Sequence, residues 1–226
     1  MQKRKPFGRF VKPSGDKSPI GILGGTFDPV HNGHLRFALE VRHQLSLSSV
    51  RLIPLRKPPH RTSPQAADEI RLRMLMAAVR DEEGLIVDDQ ELRRNGISYT
   101  VDTLNVLQQR FPEHSLCLIL GMDAFCQLTT WNQWRRILEL AHIAVAQRPG
   151  TSLPMEGEIV HLLAKRKTSD PARLCEEPAG HIMVLPVPQL DISATRIRAQ
   201  VTHSASIRYL VPDSVLEIIT HEQLYV

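Results

Sequence analysis

Short apolar segments that alternate with stretches of helical periodicity constrain the fold of this chain more than any other feature. The predicted strands are residues 20–24, 50–54, 85–88, 115–120, 142–147 and 181–185. Two helical stripes lie between them, formed by Ile70, Met74, Leu75, Ala78 and Val79 and by Val101, Leu104, Leu107 and Phe111. This alternation predicts a doubly wound, Rossmann-like α/β fold, in which right-handed crossovers place helices on both faces of a parallel sheet.

The remaining segments complete the predicted organisation. Residues 149–180 are rich in proline, glycine and charge and are expected to form a loop with one helix. Pro212 and Asp213 are expected to open a last amphipathic helix through Val215, Ile218 and Ile219, which gives a small helical C-terminal part. With 226 residues and 42% hydrophobic residues, residues 20–226 are predicted to form one domain.

Charge is concentrated at the N-terminus. Residues 1–19 carry a net charge of +5, so the rest of the chain carries −1 of the overall +4. A basic arm can favour nucleic acid, but a solvated, disordered arm is the preferred interpretation, and residues 20–226 show no basic footprint of a nucleic-acid-binding protein. Nothing in the sequence indicates an oligomeric state.

The cellular compartment is predicted from three features that the sequence lacks. No run of about 18 apolar residues is present, so no membrane span is expected. The basic N-terminus lacks the apolar stretch of a signal peptide, and Cys117, Cys126 and Cys175 have no CxxC spacing. These features predict a cytoplasmic protein, with Cys117 packed in the core.

The segment from Gly24 to Leu35 reads GGTFDPVHNGHL and follows the first predicted strand. Glycines after a strand let a ligand approach the main chain, and the start of the next helix supplies free N–H groups and a positive dipole end. His31 and His34 are three residues apart and are expected to lie on the same side of the first helical turn. This combination predicts a site for the phosphates of a nucleotide.

Other interpretations of the same segment are a plain tight turn and a metal site. A histidine pair can bind zinc, but the spacing matches no zinc pattern, and Asp28 is expected to be a loop or capping residue. No metal site formed by protein side chains is therefore predicted. Neither a Walker loop nor a GxGxxG fingerprint is present, so the phosphates must be held without a P-loop lysine.

A second segment, near the other end of the chain, makes the interpretation of residues 24–35 more specific. GGTFDPVHNGH resembles the HxGH signature of the nucleotidylyltransferase superfamily, and DISATRIR, residues 191–198, resembles its second phosphate motif, ISSTxIR. Ala194 replaces a serine that is common in that motif. The resemblance implies catalytic roles for His31, His34 and Arg198. It implies ATP contacts from Gly24, Gly25, Thr26, Phe27, His31, His34, Asp123, Ser193, Thr195 and Arg198.

Further segments resemble the bacterial nicotinate-mononucleotide adenylyltransferases. They are KPPHR at 57–61, SYTVDTL at 98–104, GMDA at 121–124, WNQW at 131–134 and RPG at 148–150. The resemblance implies acceptor contacts from Lys57, His60, Arg61, Tyr99, Thr100, Trp131 and Arg148. It also implies that Asp123 lies near the ATP ribose, and Asn132 stands where that family often has an aromatic residue.

Each of these segments also has a purely structural interpretation. KPPHR reads as an exposed loop, Ser98 to Thr100 as the cap of the following helix, and Trp131 as the cover of a core edge. The free amides at such a helix start can also bind a carboxylate, which nicotinate has and nicotinamide lacks.

The resemblance implies adenylyl transfer from ATP to nicotinate mononucleotide, giving nicotinate adenine dinucleotide and pyrophosphate. Mg²⁺ is the expected cofactor, bound mainly through the ATP phosphates. The alternatives are transfer to another phosphorylated acceptor such as phosphopantetheine, a non-catalytic nucleotide sensor, and a nucleic-acid-binding protein that uses residues 1–19.

Overall fold

A parallel sheet of six strands forms the centre of the computed structural model, which describes residues 17–57, 63–147, 156–188 and 190–226. The strands are β1 (Ile20–Gly25), β2 (Ser49–Pro54), β3 (Leu85–Val87), β4 (Leu116–Gly121), β5 (His142–Gln147) and β6 (Ile182–Pro186). All six predicted strands are confirmed. Residues 1–16 of the predicted basic arm lie outside the described residues.

Ten α-helices occur within the described residues. They are α1 (Asn32–Gln44), α2 (Asp68–Val79), α3 (Gln90–Arg93), α4 (Thr100–Arg110), α5 (Met122–Cys126), α6 (Trp134–Leu140), α7 (Glu158–Arg166), α8 (Arg173–Glu176), α9 (Ala194–Thr202) and α10 (Asp213–His221). A 3₁₀ turn spans Leu128–Thr130. No helix in these ranges is long and apolar enough to cross a membrane.

One prediction about the helices was wrong. Two helices, α7 and α8, lie in the segment that was expected to hold one. The second is a single turn whose Leu174 is only 1% exposed. So short a helix has no periodicity to read from sequence, and it forms because the protein buries this leucine. The predicted opening of α10 at Pro212 is confirmed, with Val215 and Ile219 buried.

The two faces of the sheet carry separate hydrophobic clusters. Leu23, Val41 and Met74 belong to the cluster that packs α1, α2, α9 and α10 against one face. Ile22 and Leu104 belong to the cluster on the other face, which includes residues of α4, α6 and α7. Helices on both faces confirm the doubly wound fold. Cys117 is buried in the first cluster, as expected, and burial raises the pKa of its thiol to about 12.

The sheet order β3-β2-β1-β4-β5-β6 places a topological switch point between β1 and β4. These two strands pair only from Ile20–Leu116 to Ile22–Leu118, although β1 continues to Gly25 and β4 continues to Gly121. The carboxyl ends pair instead with the outer neighbours β2 and β5. A crevice therefore opens between β1 and β4, at the place where sheets of this class bind ligands.

Candidate active site

A cavity of about 630 Å³ opens beyond the carboxyl ends of β1 and β4, and both phosphate motifs line it. The first motif contributes Thr26, Asp28, His31, Gly33 and His34, and the second contributes Ile192, Ser193, Ala194, Thr195 and Arg198. Two segments far apart in sequence thus share one cleft. Among the predicted ATP contacts, this cavity brings together Thr26, both histidines, Ser193, Thr195 and Arg198.

A second cavity of about 380 Å³ adjoins the first. Its lining includes Gly24, Gly25, Ser98, Tyr99, Thr100, Asp123, Trp131 and Asn132, and it shares Thr26, His34, Phe37 and Gly121 with the first cavity. The two cavities are therefore parts of one cleft that meet beside His34. A polar, phosphate-type lining lies on one side of this junction, and an aromatic lining with a helix start lies on the other.

His31 is the N-cap of α1. Its backbone is extended, with φ −144° and ψ 166°, and its Nδ1 accepts a hydrogen bond of 3.3 Å from the amide of His34. The side chain is almost completely buried, and this burial lowers the pKa of His31 to about 4. The imidazole is therefore neutral near pH 7, and because Nδ1 accepts, the proton resides on Nε2 as a hydrogen-bond donor.

His34 lies in the first turn of α1, and its ring stacks on the His31 ring with centroids 3.6 Å apart. The edge of Phe27 packs against it at 5.0 Å. Phe27 adopts a left-handed backbone, φ 47°, and its side chain is 1% exposed. Its ring supports His34 from the core, so any ATP contact from Phe27 must come from its main chain. At Gly25 a Cβ would lie 3.0 Å from the Phe27 ring, so a larger residue there would press on this ring.

Arg198 links the two motifs directly. Its Nη1 donates a hydrogen bond of 2.7 Å to the carbonyl oxygen of Asp28, and its Nη2 donates to Thr195 Oγ1 at 3.4 Å. Ser193 is the N-cap of α9, where its Oγ accepts from the amide of Arg196 at 3.2 Å. Ala194 lines the cavity without a hydroxyl. The second motif thus presents one guanidinium, two hydroxyl oxygens and a helix start to the cleft.

Asp28 has a role that sequence reasoning missed. It lies in a loop but caps no helix, and it is 3% exposed. Its Oδ2 accepts from the amide of Gln65 at 2.7 Å, and its Oδ1 accepts from the amide of Ala66 at 3.2 Å and from the Tyr225 hydroxyl at 2.7 Å. No local pattern in the sequence indicates these partners.

Arg71 is a second residue that was missed, and it is fully buried. Its guanidinium donates to the carbonyl oxygens of Thr26 and Leu55, the residues that follow β1 and β2, and it pairs with Asp68. The side chain therefore holds the phosphate-side turn against the neighbouring strand end. The signal for it was present, because this arginine interrupts the apolar stripe of α2.

The start of α4 differs from the side-chain cap that was expected from residues 98–100. Its N-cap is Tyr99, and no side chain caps it. Ser98 Oγ instead accepts from the amide of Arg56 at 3.2 Å, so the hydroxyl faces the segment after β2. Tyr99 and Thr100 line the second cavity beside the first amides of the helix. Trp131 packs partly buried against the second core cluster, as its structural interpretation predicts, and it also lines this cavity.

The other predicted site residues line the second cavity, lie on the surface or fall outside the described residues. Asp123 is exposed and lines the second cavity rather than the first, together with Gly24 and Gly25. The Lys57 side chain is exposed, and its carbonyl oxygen accepts from the amide of Ser98 at 3.1 Å. His60, Arg61 and Arg148 lie outside the described residues.

The chemistry of the cleft suits an anion. Imidazole N–H, guanidinium, hydroxyl and helix-start groups converge on the first cavity. Asp28 is the one carboxylate among the described residues that line it, and three hydrogen-bond donors already occupy that carboxylate. Within the described ranges, no group of three or more histidine, cysteine, aspartate or glutamate side chains could hold a metal ion.

Comparisons with known proteins identify the family of this chain. Residues 22–200 match the family described as cytidylyltransferase-like. The chain is 47% identical over 207 residues to a probable nicotinate-nucleotide adenylyltransferase of Methylococcus capsulatus, covering 91% of this chain and 99% of that protein. A protein of the same name from Halorhodospira halophila is 45% identical over 206 residues, covering 91% and 94%.

Among solved structures, nicotinic acid mononucleotide adenylyltransferase of Plasmodium falciparum, complexed with NaAD, aligns with a TM-score of 0.70. The alignment covers 92% of this chain and 97% of that one at 16% identity, so it supports the fold alone. The family match and the extended identity to named relatives decide the assignment. This chain belongs to the nicotinate-nucleotide adenylyltransferase family of cytidylyltransferase-like proteins.

Proposed function

We propose that this protein transfers the adenylyl group of ATP to nicotinate mononucleotide, giving nicotinate adenine dinucleotide and pyrophosphate, a step of NAD biosynthesis. The observation that carries this proposal is the double cleft, in which a phosphate-type cavity and an aromatic cavity meet beside His34. A reaction between two nucleotides needs such a junction, because the attacking phosphate and the α-phosphorus must be brought into line.

The reaction is a displacement at phosphorus. A phosphate oxygen of the mononucleotide, already ionised near pH 7, forms a bond to the α-phosphorus of ATP, and the bond from that phosphorus to the β-phosphate oxygen breaks. Pyrophosphate carries away the electron pair. No general base is needed, so the work of the site is to position the reactants and to stabilise negative charge.

The described residues have distinct proposed parts in that work. His31 donates from Nε2 as a neutral imidazole, which fits its buried environment, and His34 donates at the junction, where the α-phosphate would lie. Arg198 supplies positive charge to the triphosphate. Thr26, Ser193 and Thr195 supply shorter-range polar contacts. Mg²⁺ would be held mainly by the ATP phosphate oxygens and water, and it would neutralise part of the phosphate charge.

The acceptor side follows the same logic. Trp131 is proposed to stack on the pyridine ring, with Tyr99 beside it, and the first amides of α4 at Thr100 are proposed to bind the nicotinate carboxylate. Asp123 is proposed to accept hydrogen bonds from ribose hydroxyls. Lys57, His60, Arg61 and Arg148 are proposed, from the sequence, to add positive charge around the anionic acceptor.

An acceptor panel tests this function. With ATP and Mg²⁺ fixed, nicotinate mononucleotide, nicotinamide mononucleotide and phosphopantetheine are supplied in turn, and pyrophosphate release and the product mass are measured. We expect kcat/KM for the nicotinate form to exceed that for the nicotinamide form at least about tenfold, since the amide lacks the charge that α4 would bind. Equal use of both would remove the carboxylate role of α4.

Two other outcomes of the panel would replace the proposed function. Preferred transfer to phosphopantetheine would move the enzyme to a different acceptor class. Binding of ATP without pyrophosphate release for any acceptor would indicate a nucleotide sensor.

A further inference from the structure

Tyr225 follows α10 and reaches the phosphate side of the cleft from outside both sequence motifs. Gln223 and Tyr225 have left-handed backbones, with φ values of 49° and 65°. Non-glycine residues rarely adopt this conformation unless surrounding contacts enforce it. Here the two residues turn the chain after α10 back toward α9, where Thr202 Oγ1 donates to the carbonyl oxygen of Tyr225 at 2.8 Å.

The Tyr225 hydroxyl contacts the carboxylate of Asp28, which lines the first cavity. It donates to Asp28 Oδ1 at 2.7 Å, and burial raises the pKa of this tyrosine far above its usual value, so the hydroxyl remains a donor. The amide of Ala66 donates to the same oxygen, and the amide of Gln65 donates to the other. Both oxygens of Asp28 are thus occupied by donors that carry no net charge.

Arg198 lies beside this carboxylate without forming a direct hydrogen bond to it. Its Nη1 is 3.9 Å from Asp28 Oδ2, and the same nitrogen donates to the main-chain carbonyl of Asp28 instead. An arginine that bonded the carboxylate directly would have its charge neutralised and its N–H groups consumed. In this structure the carboxylate's need for donors is met from elsewhere.

We propose that Tyr225 is a positioning residue for the ATP phosphate site: its hydroxyl holds the Asp28 carboxylate on neutral donors and so leaves the Arg198 guanidinium available to the triphosphate. The inference rests on the proposed function for the identity of the ligand. When the hydroxyl is removed, Asp28 Oδ1 loses its 2.7 Å donor, and the carboxylate gains most by closing on Arg198. Triphosphate binding must then compete with that ion pair.

Tyr225→Phe is the direct test, because it removes the hydroxyl and keeps the ring, which packs against the first core cluster, and the main-chain anchor to Thr202. The readout is the Kd of a non-hydrolysable ATP analogue with Mg²⁺, measured by calorimetry on the full chain. We expect this Kd to rise about tenfold. The KM for nicotinate mononucleotide is expected to stay within about twofold, because Tyr225 touches the phosphate side alone.

Tyr209→Phe provides the matched control. This tyrosine is 82% exposed and also has a left-handed backbone, so its loss of a hydroxyl should leave the Kd of the ATP analogue unchanged. A Kd for Tyr225→Phe within twofold of the wild type would overturn the proposal. Equal increases in the ATP-analogue Kd and in the KM for the acceptor would also overturn it, because they would indicate general loosening of the cleft.

A second test asks whether the effect passes through Arg198. In an Arg198→Ala background, Tyr225→Phe should change the Kd of the ATP analogue by less than twofold, since the group that it positions is gone. The same tenfold change in both backgrounds would show that Tyr225 acts by another route. The Kd measurements in both backgrounds need no acceptor, so failure of the proposed reaction in the acceptor panel is distinguishable from failure of this inference.

Discussion

Replacement of His34 by alanine tests the proposed chemistry most directly, because this ring lies where the two cavities meet. The change removes one donor next to the proposed position of the α-phosphate, where negative charge grows in the transition state. Loss of one such donor lowers kcat by about 10²–10³, which corresponds to about 3–4 kcal/mol of activation free energy.

The fold should survive this substitution. His34→Ala removes the 3.6 Å stacking on His31 and the 5.0 Å edge contact with Phe27. Each contact of this kind contributes about 1 kcal/mol to stability, so the loss of both should lower Tm by about 4–8 °C. The variant is therefore expected to be folded but slow, and its binding of the ATP analogue should weaken much less than its turnover.

Pyrophosphate release with both substrates saturating is the assay for His34→Ala, and kcat and KM are determined separately. His161→Ala is the matched control, since His161 is exposed on α7. The control should match the wild type in kcat. If His34→Ala retained kcat within fivefold of the wild type, the histidine would not stabilise the transition state. If only the KM for ATP rose, its role would be ground-state binding.

Three other substitutions have definite expected outcomes. Burial lowers the pKa of His31 to about 4, so as pH falls the unfolded chain binds a proton at this residue before the folded chain does. His31 should therefore cost up to about 3 kcal/mol of folding stability as pH falls from about 6.5 to about 4. His31→Asn keeps an N-cap oxygen and should flatten this pH dependence of stability, measured by urea titrations. Arg71→Ala takes the buried donor from the carbonyl oxygens of Thr26 and Leu55 and leaves Asp68 with Arg56 as its remaining ion-pair partner. It should cost about 3–5 kcal/mol and lower Tm by at least about 6 °C, against about 2 °C or less for the exposed Arg73→Ala. Trp131→Ala should raise the KM for nicotinate mononucleotide at least about tenfold without changing the Kd of the ATP analogue.

Each of these expectations has a clear contrary result. If the stability of His31→Asn depended on pH as strongly as that of the wild type, the pKa of His31 would be the same in the folded and unfolded states. Equal melting temperatures for Arg71→Ala and Arg73→Ala would remove Arg71 as a support of the Thr26 turn. The ring of Trp134 also packs against the second core cluster. If Trp134→Ala raised the KM for nicotinate mononucleotide as much as Trp131→Ala does, the role of Trp131 would be core packing rather than acceptor binding.

The sequence alone determined the parts of the protein that depend on neighbouring residues. The strands and the main amphipathic helices follow from hydrophobic periodicity, and the phosphate side of the site follows from two short motifs whose residue types suit an anion. The parallel sheet with a switch point then requires the carboxyl ends of β1 and β4 to lie together. That requirement explains why Thr26, His31 and His34 could be predicted to share one site, whereas Arg198 was added to it by the resemblance of residues 191–198 to the second phosphate motif.

Only the tertiary structure decided how that site is held. Asp28 meets Tyr225 across almost the whole length of the chain, and Arg71 meets the carbonyl oxygens of Thr26 and Leu55. Ser98 has the amide of Arg56 as its partner rather than the helix start expected locally. These contacts join residues that are distant in sequence, and they arise because buried polar groups must find partners wherever packing places them. No periodicity or motif encodes that choice, so it becomes visible only when the chain is folded.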